Sequence, residues 1–151
     1  MELERIRDCM KPEQLAITCH VDDRGFLYQI YGGYEGKFPD VRRIYIVGNF
    51  GKGTIRGFHG HNEEWKCYFV TKGSAKFVVI DEDKHSSNYV LSSKNPTVLI
   101  VPPKYFHGWI SLEDNTLLIG LSNKSLEDSL TDDMRLDPFS YGKELWDVKA
   151  R

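Results

Sequence analysis

A chain of 151 residues has room for one domain with a real core. Hydrophobic residues make up 40% and aromatic residues 13%, while 20 basic residues face 22 acidic ones. That near balance lacks the basic footprint of a nucleic-acid binder, and no apolar run approaches the ~20 residues of a membrane span.

The N-terminus, Met1-Glu2-Leu3-Glu4-Arg5, is charged and leads into no apolar h-region, so no signal peptide is expected. Cys9, Cys19 and Cys67 form no C-x-x-C pair and suit a reduced, cytoplasmic setting. Glu2 to Met10 is at best amphipathic. Short β-rich runs then follow at Phe26 to Ile30, Arg42 to Val47, Thr54 to His59, Trp65 to Thr71 and Ala75 to Ile80. Three more lie at Thr97 to Val101, Gly108 to Leu112 and Thr116 to Leu121. Turn residues separate them: Gly32-Gly33, Gly48 to Gly53, Lys72-Gly73-Ser74, Asp81 to Asp83, Asn95-Pro96 and Glu113-Asp114-Asn115. Lys124 to Met134 could form a turn or two of helix. Many short strands and scarce helix predict an all-β, double-sheet jelly roll or small barrel, one domain over residues 1–151. Such a barrel can enclose one small ligand.

The segment Arg56-Gly57-Phe58-His59-Gly60-His61 carries the chemistry. Residues two apart on a strand point to one face, so His59 and His61 are expected side by side. A bulge at Gly57 would bring Arg56 to that face as well. Two chemistries compete. A metal site would use the His-x-His pair with the distant His107, but the position for its carboxylate is Lys66, whose ammonium repels a cation; Glu63 and Glu64 fall short of that position. Acid–base catalysis uses an imidazole to remove a proton beside a ketone. Lys and Arg charge then stabilises the enolate. His59, His61, Lys66 and Arg56 form that set, against the plainer reading of histidines in a polar turn. Arg24, Arg56 and Lys66 are also suited to a diphosphate. Tyr28, Tyr45, Tyr68 and Tyr105 are candidates for a catalytic acid, against the plainer reading of packing or base stacking, and Trp65, Trp109 and Trp146 for base stacking or core. His20, His85 and the Asp81-Glu82-Asp83-Lys84 turn receive no role.

The chain resembles the nucleotide-sugar branch of the cupins, the dTDP-4-dehydrorhamnose 3,5-epimerase superfamily. Asp23-Arg24-Gly25-Phe26 resembles the family's opening motif, whose arginine reaches the ligand's phosphates. Arg56-Gly57-Phe58-His59 resembles the stretch bearing its base histidine. Leu91 to Asn95, Ile100 to His107-Gly108, Asp137-Pro138 and Trp146 resemble later landmarks in order, so the likeness runs from about Asp22 to Trp146.

The resemblance implies a cupin jelly roll and an isomerase acting on a nucleotide-diphosphate-linked 4-keto-6-deoxyhexose. It implies His59 as base, His61 as second proton carrier and Lys66 as enolate stabiliser. Arg24 and Arg56 would hold phosphate, with His107, Tyr45 and Tyr68 lining the pocket. No cofactor is needed, because the substrate already carries the ketone. Relatives are dimers in which an arm bearing the phosphate-binding arginine crosses to the partner, so a homodimer with Arg24 in the neighbouring site is expected. Two features depart from the family. Its tyrosine acid falls near Ile119 here, and the aspartate that pairs with the base has no evident counterpart.

The centre also resembles the sugar 3,4-ketoisomerases, through Arg-Gly-x-His-x-His after the run Val41 to Ile46. Epimerisation is the first expectation and 3,4-ketoisomerisation the second. A non-catalytic sugar-nucleotide-binding cupin is the third.

Overall fold

The computed structural model describes residues 10–32 and 37–151; Cys9, Gly33 and nearly all of the Glu2 to Met10 stretch lie outside the described residues. Two five-stranded antiparallel sheets face each other. The first has the order β1 (Glu13–Ala16), β9 (Thr97–Val101), β6 (Lys66–Lys72), β11 (Thr116–Ser122), β4 (Arg43–Asn49). The second runs β12 (Met134–Arg135), β5 (Ile55–Gly60), β10 (Phe106–Ser111), β7 (Ser74–Ile80), β8 (Ser86–Ser92). A separate hairpin pairs β2 (His20–Asp22) with β3 (Gly25–Leu27). The one α-helix among the described residues is α1 (Leu126–Thr131). The expected jelly roll is the fold adopted.

Strand residues alternate between two cores. In β6, Tyr68 and Val70 point between the sheets while Cys67 and Phe69 point outward. In β9, Leu99 and Val101 point in and Val98 and Ile100 point out. In β7, Phe77 and Val79 point in and Val78 and Ile80 point out. Both faces are buried because other segments cover the outer ones. Met10, Leu15, Ile17, Tyr28 and Ile30 cover the first sheet. Leu136, Tyr141, Leu145 and Trp146 cover the second. This explains the unbroken apolar runs: a strand covered on both sides has no polar face to show.

The eight anticipated strands are all present, most shifted by a residue or two. β1, β2, β8 and β12 were not anticipated. β8 (Ser-Ser-Asn-Tyr-Val-Leu-Ser) buries only Leu91, so it carries almost no hydrophobic pattern. The anticipated helix, Lys124 to Met134, shortens to α1, capped by Ser125 Oγ accepting from the Asp128 N–H at 3.1 Å.

The sheets' second wall is bent where β5 meets β10. His107 pairs with His59 and Trp109 with Arg56, so Gly57 and Phe58 together oppose Gly108 alone. A Cβ on Gly57 would lie 2.8 Å from Gly108 Cα, and one on Gly108 2.7 Å from the Arg56 carbonyl oxygen. Only glycines permit this approach. Phe58 turns outward beneath Trp146, ring centroids 5.2 Å apart, and the Trp146 indole N–H donates to the Pro138 carbonyl at 2.7 Å. The C-terminal segment is thereby fastened behind the bulge. Trp146 is a core residue, and Trp65 packs edge-on to Phe38 in the other outer core.

Trp146→Ala should therefore cost ~3–5 kcal/mol, as for other buried aromatic truncations. Urea unfolding measures it; a loss below ~1 kcal/mol would mean that the C-terminal segment is not part of the cooperative core.

Candidate functional site

Between the sheets, above the inner core, lies a cavity of about 490 Å³, within the usual range for small-ligand sites. β4 and β6 bring Arg43, Tyr45, Lys66 and Tyr68 from the first sheet. β5, β10 and the residue after β5 bring Arg56, His59, His61 and His107 from the second. α1 and β12 edge the mouth through Ser129, Asp133 and Arg135. Of the eight residues singled out in the sequence, seven line this one space. Arg24 does not. It lies in the β2–β3 hairpin, exposed, its guanidinium held by Asp22 with Nη2–Oδ2 at 2.5 Å.

The bulge sets Arg56 and His59 on the cavity face, and alternation adds His61. Burial pulls His59 below its ordinary pKa; Asp133, with Oδ1 3.6 Å from Nδ1, pulls it back up. The ring is thus held neutral near pH 7 with a carboxylate behind it. Asp133 reaches this place because β12 pairs with β5, Arg135 opposite His59. It is the one carboxylate lining the cavity among the described residues.

His61 is fixed more tightly. Its Nδ1 lies 3.0 Å from the Asp132 carbonyl and 3.3 Å from Glu64 Oε2. Both partners only accept, so Nδ1 carries a proton. The Asp132 carboxylate in turn accepts the backbone N–H groups of Asn62, Glu63 and Glu64 at 2.9, 2.9 and 3.2 Å. His107 is fully enclosed. Burial, then the charges of His61 and Lys66, push its pKa down to about 3. Tyr68 Oη lies 2.8 Å from its Nε2, and burial holds the Tyr68 phenol well above its ordinary range.

Glu64 organises the first wall. Its buried carboxylate accepts from Lys66 Nζ at 2.7 Å, Arg43 Nη2 at 3.1 Å, Ser122 Oγ at 2.5 Å and Ser129 Oγ at 2.7 Å. Burial alone would raise its pKa, but the hydrogen bonds from Lys66, Ser122 and Ser129 outweigh it and bring it to about 2. Sequence reasoning weighed Glu64 only as a metal ligand and so missed it. The signal was the Glu63-Glu64 pair between His61 and Lys66, on the approach to a buried strand. With its oxygens committed to two cations and two serines, it is not available to a metal. Four cationic side chains, Arg43, Arg56, Lys66 and Arg135, line the cavity against one carboxylate, Asp133. Arg56 is steered by Asn49 Oδ1, which accepts from Nε at 2.7 Å.

Ile119 does not face the cavity. It packs on the outer side of the first sheet, while its neighbour Gly120 lies between Tyr45 and Tyr68 in the cross-strand row. Tyr28 belongs to the outer core and Tyr105 packs against the inner one, neither lining the cavity.

A family model described as dTDP-4-dehydrorhamnose 3,5-epimerase matches residues 6–136. The chain belongs to this family. A curated relative, the spore coat polysaccharide biosynthesis protein SpsL of Bacillus subtilis, is 27% identical over 106 residues, 66% of this chain and 70% of that one. The dTDP-4-dehydrorhamnose 3,5-epimerase of Bacillus anthracis, solved with TDP and pyrophosphate bound, is 25% identical with a TM-score of 0.80, covering 93% of this chain and 87% of that one. The 3,4-ketoisomerase QdtA of Thermoanaerobacterium thermosaccharolyticum, a double mutant solved with TDP, shares the fold at 23% identity and a TM-score of 0.71, covering 89% and 93%. Membership of this cupin-fold family makes the protein a sugar-nucleotide epimerase or isomerase.

Glu64→Gln should leave Lys66 and Arg43 without their counter-charge and cost ~3–5 kcal/mol at pH 7. A carboxyl that titrates lower when folded stabilises fully above its ordinary 4.5, and that contribution is lost as pH falls through about 2. The stability gap between parent and variant, from denaturant titrations, should therefore narrow below pH 4.5; a gap independent of pH would contradict the assignment.

Proposed function

We propose that the protein epimerises a nucleotide-diphosphate-linked 4-keto-6-deoxyhexose by enolisation, within one cupin domain. The observation that carries this is His59, held neutral on the cavity wall with Asp133 behind it and Lys66 across the same space. The Asp133 carboxylate, 3.6 Å from Nδ1, favours a proton on that nitrogen by its charge, which leaves Nε2 to take the proton from a carbon beside the ketone. The C–H electron pair becomes the enolate double bond and the carbonyl pair moves onto oxygen. The Lys66 ammonium stabilises that oxygen, and His61, on the same wall as His59, carries protons to and from it. Arg56 and Arg135 suit the diphosphate by charge, and Tyr45, Tyr68 and His107 bound the sugar. The substrate's own ketone serves as electron sink, so the reading calls for no redox cofactor.

A 3,4-ketoisomerase is the second reading. It is favoured by His59 and His61 lying side by side in the cavity, as a two-site proton shuttle requires.

The reading includes a homodimer. Val21, Phe26 and Leu27 of the hairpin and Ile44 and Ile46 of the edge strand β4 are large apolar side chains left 59–76% exposed. Large apolar side chains left this exposed suit an interface. A hairpin laid on a partner would carry Arg24 to the partner's cavity, which explains its position away from its own. A cytoplasmic location also belongs to the reading: Cys19 and Cys67 are free thiols, and no helix among the described residues is long and apolar enough to cross a membrane.

In D₂O with a dTDP-4-keto-6-deoxyhexose, the parent should exchange a ring C–H and His59→Gln should lose exchange ~10²–10⁴-fold while still binding the nucleotide. The exchange rate should rise with pH through a value below 6.5, since burial lowers His59. Ring-proton NMR reads both, and exchange undiminished in the variant would remove His59 as base.

Hybrid dimers of Arg24→Ala and His59→Gln chains should regain activity that neither homodimer shows. Each hybrid would contain one cavity with an intact His59 served by an intact Arg24. No recovery on mixing, or a monomer by light scattering, would refute the crossed arm.

A further inference from the structure

Inverting a carbon requires that the proton leave from one face and return to the other. His59 stands on the second sheet, so the returning proton must come from the first. Two tyrosines line the cavity there among the described residues, Tyr45 and Tyr68. Tyr68 is buried, and its hydroxyl is bonded to His107 Nε2 at 2.8 Å. Tyr45 is only partly buried, and its hydroxyl meets that of Tyr68 rather than a ring nitrogen.

The place of Tyr45 is built by its neighbours. β4 pairs Tyr45 with Gly120 of β11, and the phenol lies directly over that glycine. A Cβ on Gly120 would stand 2.6 Å from Tyr45 Oη and closer still to Cζ. Any other residue at 120 would expel the ring. Two cations attend it: Lys66 Nζ is 5.0 Å and the Arg43 guanidinium 5.3 Å from the ring centroid. Positive charge at that distance favours negative charge on the ring, the form a phenol takes once it has given its proton. Glu64 holds both cations in place through Oε1.

We infer that Tyr45, seated over Gly120, is the acid that returns a proton to the sugar carbon from the face opposite His59. This rests on the epimerase reading above. The step balances without any other reactant. His59 removes the proton and the enolate forms. The Tyr45 O–H bond then breaks, its proton bonds to the same carbon from the other face, and the enolate pair restores the ketone. Water reprotonates the phenolate and takes the proton from His59. In this chain the acid stands on β4, and the strand beside it gives up its side chain to make room.

Tyr45→Phe removes one oxygen and keeps the ring, so the fold and nucleotide affinity should hold, checked by thermal melting and TDP titration. In D₂O with the same keto-sugar nucleotide, the variant should still exchange the proton that His59 handles, within about twofold, while inverted product falls ~10²–10⁴-fold. Inversion at the parental rate overturns the proposal. So does an equal fall in exchange and inversion, which would make Tyr45 a binding residue. A parent that exchanges but gives a 3-keto sugar with no inverted centre overturns the acid and leaves the isomerase reading standing. A parent that neither exchanges nor turns over defeats both.

Discussion

The cavity depends on one buried carboxylate. Glu64 has no exposed side-chain surface, and an unpaired charge in that position would be prohibitively costly. Its partners are therefore fixed with it: Lys66 on the same strand run, Arg43 on β4, Ser122 at the end of β11 and Ser129 on α1. Four elements distant in sequence are tied at one point. Because Lys66 and Arg43 are held there, their charge is pre-oriented toward the ligand space and toward the Tyr45 ring. Preorganised charge of this kind needs no rearrangement to meet negative charge in the cavity.

The opposite wall is ordered by close approach and not by charge. Gly57 and Gly108 let β5 and β10 nearly touch, and the extra residue in β5 re-aims Arg56 and His59. Phe58, displaced outward, becomes the seat for Trp146. The chain after α1 then lies along β5, which is how Asp132 and Asp133 arrive at His61 and His59. The short C-terminal extension thus serves two purposes. It closes the outer core of the second sheet, and it delivers the carboxylates that hold the histidines.

Both walls meet over an inner core of Val70, Phe77, Leu99 and Leu118. The floor is apolar and buried, the upper walls are charged, and the mouth is edged by α1. Water is excluded from below while a charged ligand can enter from above. Epimerases and ketoisomerases share this frame, and the frame by itself does not choose between them. That choice falls to which groups can exchange protons with the sugar and from which side.

The sequence by itself determined the class of fold, the two-residue spacing that pairs His59 with His61, and the seven cavity residues among those it singled out. These are local properties: strand periodicity, glycine beside histidine, and charge at motif spacing. It could not show Glu64, Asp132 or Asp133 as parts of the site, because an acidic residue in a chain reads as solvated surface until burial is known. It placed the missing tyrosine near Ile119, one residue from the inward-facing Gly120, because a shift of one reverses the face of a strand. It could not see that Gly120 exists to admit a ring from the next strand. Only the tertiary structure decided these matters, because each depends on which strands lie side by side. Side-chain charge and volume act across ladders whose partners are, like Tyr45 and Gly120, far apart in the chain.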